Sequence, residues 1–210
     1  MHVAALVIAA LPRAQKVLLG LLAALLLAAQ VAQPYPEIAL LQHIPTLLFL
    51  FVSPWVLRRW PLSTASLACI VAFLALHTLG GRYAYSNVPY DDWARALGGT
   101  TLSDAMGWSR NHYDRLVHFA FGALSVVPVA EIARRRGGLS PRGAALTVLA
   151  WVLAISCLYE IFEWLLTIVA AGETADRYNG QQGDIWDAQK DMALAALGAI
   201  LLLPVLRRSR

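Results

Sequence analysis

Six long apolar stretches, at 17–33, 38–57, 62–80, 114–133, 142–170 and 187–206, constrain this 210-residue chain more than any other feature. A hydrocarbon core about 30 Å thick needs about 20 mostly apolar helical residues. Lipid offers no partner to an exposed backbone group, so segments at that depth are helices. Composition agrees: 59% of residues are hydrophobic and 14% charged, against about 25% charge in soluble domains. The expectation is an all-α, polytopic membrane bundle forming one domain over residues 1–210, with its longest connection at 81–113. A disordered chain, a disulfide-stapled module and a coiled coil are excluded. The first stretch follows Arg13 and Lys16 as a signal peptide would. It lacks a clean A-x-A site and a second apolar helix follows almost at once, so a retained span is expected. A short apolar run at 3–11 is expected at the interface, and Pro45, Pro54 and Pro128 as kinks within spans. Cys69 and Cys157 fall within spans without metal-ligand spacing and read as buried small hydrophobes.

The charges divide by side. Eleven of the seventeen basic residues (Arg13, Lys16, Arg58, Arg59, Arg134, Arg135, Arg136, Arg142 and the arginines at 207, 208 and 210) fall on the side of the termini. Cytoplasmic loops carry the excess of Lys and Arg, so both termini are expected inside. Ten of the thirteen acidic residues lie at or near the opposite, outer face; Glu131 lies inside, and Glu160 and Glu163 lie within the fifth span. The formal net charge of +4 therefore reports orientation and gives no reason to expect nucleic acid. The partner it implies is the lipid bilayer.

Ionisable groups within spans cost roughly 2.5–3.5 kcal/mol each at the bilayer centre and turn toward protein or water. Glu160 and Glu163 share one helix face with Ser156 and Thr167, forming a polar stripe that must point into the bundle. Asp114 and His118 stand four apart at the start of the fourth span, with Gly122 and Ser125 continuing their face. Asp184, Asp187 and Asp191 open the sixth, continued by Ala195 and Gly198, small residues that admit a neighbouring helix. Because chain direction alternates, Asp114, His118, Glu160, Glu163, Asp184, Asp187 and Asp191 are expected near one level, with Arg110, Arg115, Arg177 and Lys190 as partners. Carboxylates and imidazole on facing helices are how bundles hold divalent metals; zinc, manganese or magnesium would suit.

Plainer roles are open for each. Asn111 with Asp114, and Asp184 with Asp187, have capping-box spacing. Asp191 has Lys190 and Arg115 as ion-pair partners, and the same Arg115 is within reach of Glu160 and Glu163. His43 and His77, each alone on an apolar face, read as core histidines, and His112 as a solvated loop residue. In the outer loop, Gly80–Tyr85 reads as a turn and 89–97 as a short interfacial helix with Trp93. A connection of this length is expected to cap the outer mouth.

Gly81-Arg82-Tyr83-Ala84-Tyr85, Arg110-Asn111-His112-Tyr113-Asp114-Arg115 with His118, Tyr159-Glu160-Ile161-Phe162-Glu163-Trp164 and Gln182-Gly183-Asp184-Ile185-Trp186-Asp187 occur in an order that resembles the YjdF-like inner-membrane proteins. That is a bacterial family of unknown function, and the likeness covers most of the chain from about residue 40 onward. It implies a multi-span protein and supplies no activity. A weaker similarity is to VanZ-like membrane proteins. The chain departs from the YjdF-like pattern at Gln42-His43-Ile44-Pro45, where an acidic residue precedes the proline in the family; helix two then contributes His43 or nothing.

Two functions follow. One is a metal-dependent hydrolase or transferase on lipid-linked envelope substrates, with Glu160, Glu163, Asp187 and Asp191 as ligands or bases, His118 as ligand or general base and Arg115 as a phosphate clamp. The other is a non-catalytic membrane protein, either an ion or proton pathway or a lipid-binding accessory subunit; a purely structural role is a third. The inner half of the fifth span is apolar apart from Thr147, which favours a one-sided pocket.

Overall fold

The computed structural model describes residues 11–169 and 181–207. Most of the run at 3–11, together with Glu173, Asp176, Arg177, Arg208 and Arg210, lies outside the described residues. The described chain is all helical, and six of its helices are long and apolar enough to cross a membrane. In chain order the helices are α1 (Arg13–Gln30), α2 (Pro36–Arg59), α3 (Thr64–Arg82), the short α4 (Tyr90–Gly98) and α5 (Leu102–Met106), α6 (Tyr113–Arg135), α7 (Pro141–Val169) and α8 (Asp187–Leu202). A 3₁₀ turn, Leu203–Arg207, ends the last span; Pro204 cannot donate to the α-helical ladder. The first span starts and stops earlier than composition suggests. Ala32 adopts a positive φ of 47°, and Pro34 disfavours helix in the residue before it.

α6 is the axis of the bundle. It packs against α3 on one side and against α7 and α8 on the other, while α3 carries α1 and α2. The α6–α8 crossing is close because glycine stands at both contact points. A Cβ on Gly122 would fall on the carbonyl oxygen of Ala195, and one on Gly198 on that of Phe119. Below this crossing Val126, Ala130, Val148, Val152, Ala195 and Ala199 form a buried apolar core.

α2 and α3 are cross-linked by two histidines. His43 Nε2 lies 3.1 Å from the Thr78 carbonyl and His77 Nε2 lies 2.8 Å from the Gln42 carbonyl. A carbonyl only accepts, so both Nε2 atoms carry the proton. Each Nδ1 is then an acceptor, His43 from Gln30 Nε2 at 3.0 Å and His77 from the Tyr85 hydroxyl. The core reading of both histidines agrees with these bonds. At the far end of α6, Glu131 accepts from Ser63 N at 2.8 Å, from the hydroxyls of Ser63 and Ser66, and from Arg135 at 2.6 Å, tying α6 to the start of α3.

Three expectations change. Cys157 is exposed on the outer face of α7, while Cys69 is half-buried. Thr167 is exposed and donates to the Glu163 carbonyl at 2.9 Å, so the inward polar stripe stops at Glu163. His112 is half-buried and stacks on Trp108 at 4.5 Å between centroids. Burial and the nearby charges of Arg115 and Arg110 hold its pKa below the usual histidine value.

Candidate functional site

The segments before α6 and α8 dock on each other. Asn111 N donates to Gln182 Oε1 at 2.9 Å, and Gln182 Nε2 returns a bond to the Asn111 carbonyl at 3.0 Å. Asn111 also accepts from Tyr113 N and donates to the Val88 carbonyl, which ties the outer loop down. Tyr85 and Val88 pack with Tyr113 and Val117, so the start of that loop is folded onto α6. The reciprocal Asn111–Gln182 pair escaped sequence reasoning; its only signal is that each residue lies a few positions before an acidic helix start.

The seven predicted acids and histidine sort into two tiers. In the outer tier, Arg110 bonds Asp114 and Asp187, each at 2.6 Å. Arg115 bonds Asp184 at 2.6 Å and Asp187 at 2.9 Å, and Lys190 grips both oxygens of Asp184. Asp184 also accepts Trp186 N at 3.1 Å, so it shapes the turn into α8 and carries ion pairs as well. These donors, led by Lys190 and the Trp186 amide, hold its carboxyl down at about 2. Burial alone would weaken the Arg110 charge; the bond to Asp187 and the charges of Asp114 and Asp187 outweigh it and raise the pKa above the ordinary arginine value. No reciprocal capping box forms at either helix start, since neither α6 nor α8 has a side-chain cap at its N-cap residue.

The inner tier lies one turn deeper. His118 Nε2 stands 3.8 Å from Glu160 Oε1, beyond hydrogen-bond distance. Glu160 Oε1 and Asp191 Oδ1 are both buried and make no hydrogen bond. Asp191 is only 3% exposed. The cations expected to pair with it are engaged elsewhere, Lys190 with Asp184 and Arg115 with Asp184 and Asp187. Ser156 Oγ, on the same face of α7, is also buried without a partner, as is Arg115 Nε. Glu163 lines the cavity above, one turn along α7 from Glu160, and Tyr159 hydrogen-bonds it.

Among the described residues, one ligand atom from each of His118, Glu160 and Asp191 lies within 4.8 Å of the others, and the same holds for Asp114, Asp187 and Asp191. These two groups differ in what already occupies them. Asp114 and Asp187 are bonded to guanidinium groups, which would repel a cation. The group of His118, Glu160 and Asp191 instead offers imidazole and two carboxylates from three helices. Zinc sits about 2.0–2.2 Å from such ligands, so modest side-chain rotation closes this set around an ion. Charge balance points the same way. Six carboxylates (Asp114, Asp184, Asp187, Asp191, Glu160, Glu163) face three cations (Arg110, Arg115, Lys190) across both tiers. The surplus negative charge calls for protons or a bound cation.

A cavity of about 200 Å³ opens beside the inner tier, lined by Asp114, His118, Glu163 and Asp191 and, deeper, by Phe73, Phe121 and Ile155. His77 and Tyr85 form part of its wall. Tyr85 is held there with a positive φ of 53°, its ring against Gly80, where any Cβ would collide with it.

Residues 14–210 match a family described as predicted membrane proteins, DUF2238. The chain is 37% identical over 154 residues to the inner membrane protein YjdF of Escherichia coli (strain K12), an alignment covering 72% of this chain and 68% of that protein. No solved structure matches. With six membrane-length helices and this relationship, the chain is a multi-pass inner-membrane protein and belongs to the DUF2238 family of predicted membrane proteins.

Proposed function

We propose that the protein is a metal-dependent hydrolase or transferase whose site opens on the outer face of the membrane. The observation that carries this reading is the pair of buried, unbonded carboxylate oxygens on Glu160 and Asp191, facing His118 within ligand distance of one another. An unsatisfied buried carboxylate is expensive, and paired charges stand immediately beside it. A divalent cation held by His118, Glu160 and Asp191 would supply Lewis acidity toward a phosphate or amide group. Glu163, at the cavity wall, would take or return a proton. Asp114, Asp184 and Asp187 act through Arg110 and Arg115, holding the starts of α6 and α8 in register. The outward direction of the site rests on the excess of basic residues at the opposite end of the bundle.

Against an ion or proton pathway stands the packing below the cavity. The apolar core of Val126, Val148, Val152 and Ala195 lies beneath it, and at the far end the Glu131 oxygens are taken by serine and arginine donors. The test is the metal content of protein purified in detergent without chelators. Stoichiometric zinc, manganese or magnesium, lost in a Glu160→Gln, Glu163→Gln double variant, is the expected result; wild-type protein free of divalent metal overturns the reading.

A further inference from the structure

The cavity has a direction. α6 and α8 begin at its polar end, whereas α7 and α3 finish there. Along α6, Phe121 lies three residues deeper than His118, about 4.5 Å at 1.5 Å per residue. Along α7, Ile155 lies five residues deeper than Glu160, and along α3, Phe73 lies four deeper than His77. Pro45 enters the wall from α2, nine residues below that helix's start. Apart from the Ser156 hydroxyl beside Ile155, polar groups therefore line the end near the membrane surface and apolar groups the end toward the bilayer centre. A site for a water-soluble substrate has no use for that gradient; an amphiphile lying parallel to the lipids does.

The cavity also has an opening of the right kind. Packed interfaces join α2 to α3, α3 to α6 and α6 to α7, and among the described residues none of comparable size joins α7 back to α2. The ring of helices around the cavity is thus broken on one side only, and both flanking helices turn apolar side chains outward, Ile44 and Leu48 on α2 and Leu158 and Phe162 on α7. Such surfaces lie against lipid chains. At about 200 Å³ the cavity holds about six or seven water volumes, at about 30 Å³ each. That is room for a headgroup and the first carbons of one chain. The remainder of the chain must lie outside, in the gap.

We propose that the substrate is a membrane amphiphile, a hydrocarbon chain ending in a phosphate, which enters sideways from the bilayer between α2 and α7 with its head toward His118, Glu160 and Asp191. This rests on the metal reading for the choice of head: cations held by few carboxylates commonly complete their shell with substrate phosphate oxygens. The chain slot itself rests only on the cavity's shape and lining. An acyl chain and a polyprenyl chain share this chemistry.

The test uses full-length protein in nanodiscs with two probes, a diazirine-bearing lysophosphatidic acid and a diazirine-bearing polyprenyl monophosphate. Label is mapped by peptide mass spectrometry, and metal is quantified on the same samples. The expected result is label on the Phe121 and Ile155 peptides from one probe or both, competed by the unlabelled lipid. In Ile155→Trp, which fills the apolar end from a helix that largely faces lipid, that label falls about tenfold, equivalent to about 1.4 kcal/mol, while metal content is unchanged. The probe that labels identifies the chain. Label confined to the outward residues Leu158 and Phe162, or label at Ile155 that unlabelled lipid does not compete, overturns the proposal; competition decides this even if Ile155→Trp does not fold. Saturable label in protein that holds no metal keeps the chain slot and overturns the metal reading instead.

Discussion

The two tiers of carboxylates at the mouth of the bundle are built from the same residue types on neighbouring turns, yet they are opposite in kind. In the outer tier every aspartate meets a guanidinium or ammonium group, at distances down to 2.6 Å. In the inner tier Glu160 and Asp191 keep buried oxygens without a bond. Glu131 at the far end of α6 behaves like the outer tier, with serine and arginine donors on both oxygens. This fold therefore satisfies a buried carboxylate where the carboxylate is scaffolding. The proposed function rests on the oxygens left unsatisfied beside the cavity.

Substitutions that break the outer tier should have the largest effect on stability. Arg115→Met takes one of two cationic partners from each of Asp184 and Asp187, which keep Lys190 and Arg110, so the loss should approach but not reach the about 3–5 kcal/mol of a buried charge left wholly unpaired. Thermal unfolding in detergent should show that loss. Near-normal stability would mean the tier is ornamental. Next comes the crossing that sets the spacing of both tiers. Gly122→Ala pushes a methyl onto the Ala195 carbonyl and should cost about 1–3 kcal/mol, the range for overpacking, measurable by the same melt. The inner tier should respond in the other direction. In metal-free protein Glu160→Gln alters a buried carboxylate whose Oε1 makes no hydrogen bond, with His118 at 3.8 Å its nearest partner, so stability should hold or rise by about 1 kcal/mol. A loss like that of Arg115→Met would erase the distinction between the tiers.

The smallest effect concerns pH. The Asp184 carboxyl is held at about 2, against 3.8 when unperturbed. A group depressed on folding contributes stability above its unfolded value and loses it as pH falls through the folded one. The stability of wild type should thus drop between about pH 4 and pH 2 by more than that of Asp184→Asn, as read by melts across that window. Equal slopes would place the ion pairs of Asp184 outside the folded state's energetics.

All six spans were legible in the sequence because burial in lipid leaves one structural option for an apolar run of that length. Boundaries moved by a few residues where local chemistry decided them, as at Ala32 and Pro204. The polar face of helix seven was legible as far as Glu163 and overread at Thr167, since a threonine can satisfy itself on the carbonyl one turn back. The level shared by Asp114, His118, Glu160 and Asp191 followed from alternating chain direction. What spacing could not give is which cation takes which carboxylate. Lys190, next to Asp191 in the chain, and Arg115, at the facing helix start, are both candidate partners of Asp191 by spacing, but both bond Asp184 instead, and that choice is made by docking of the α6 and α8 starts through Asn111 and Gln182. The exposure of Cys157 was also hidden, because in a membrane protein an apolar face can look outward as readily as inward.

The central claim, that His118, Glu160 and Asp191 and not the arginine-bonded aspartates hold a divalent cation, is tested most directly by metal-induced stabilisation. Protein stripped with chelator is melted with and without added zinc, manganese or magnesium. Ligand at 100 times its dissociation constant stabilises the folded state by about 2.7 kcal/mol. The account predicts that shift in wild type and in Asp184→Asn, and its loss in Asp191→Asn. Equal shifts in wild type and Asp191→Asn, or no shift in wild type with any of the three metals, would contradict it.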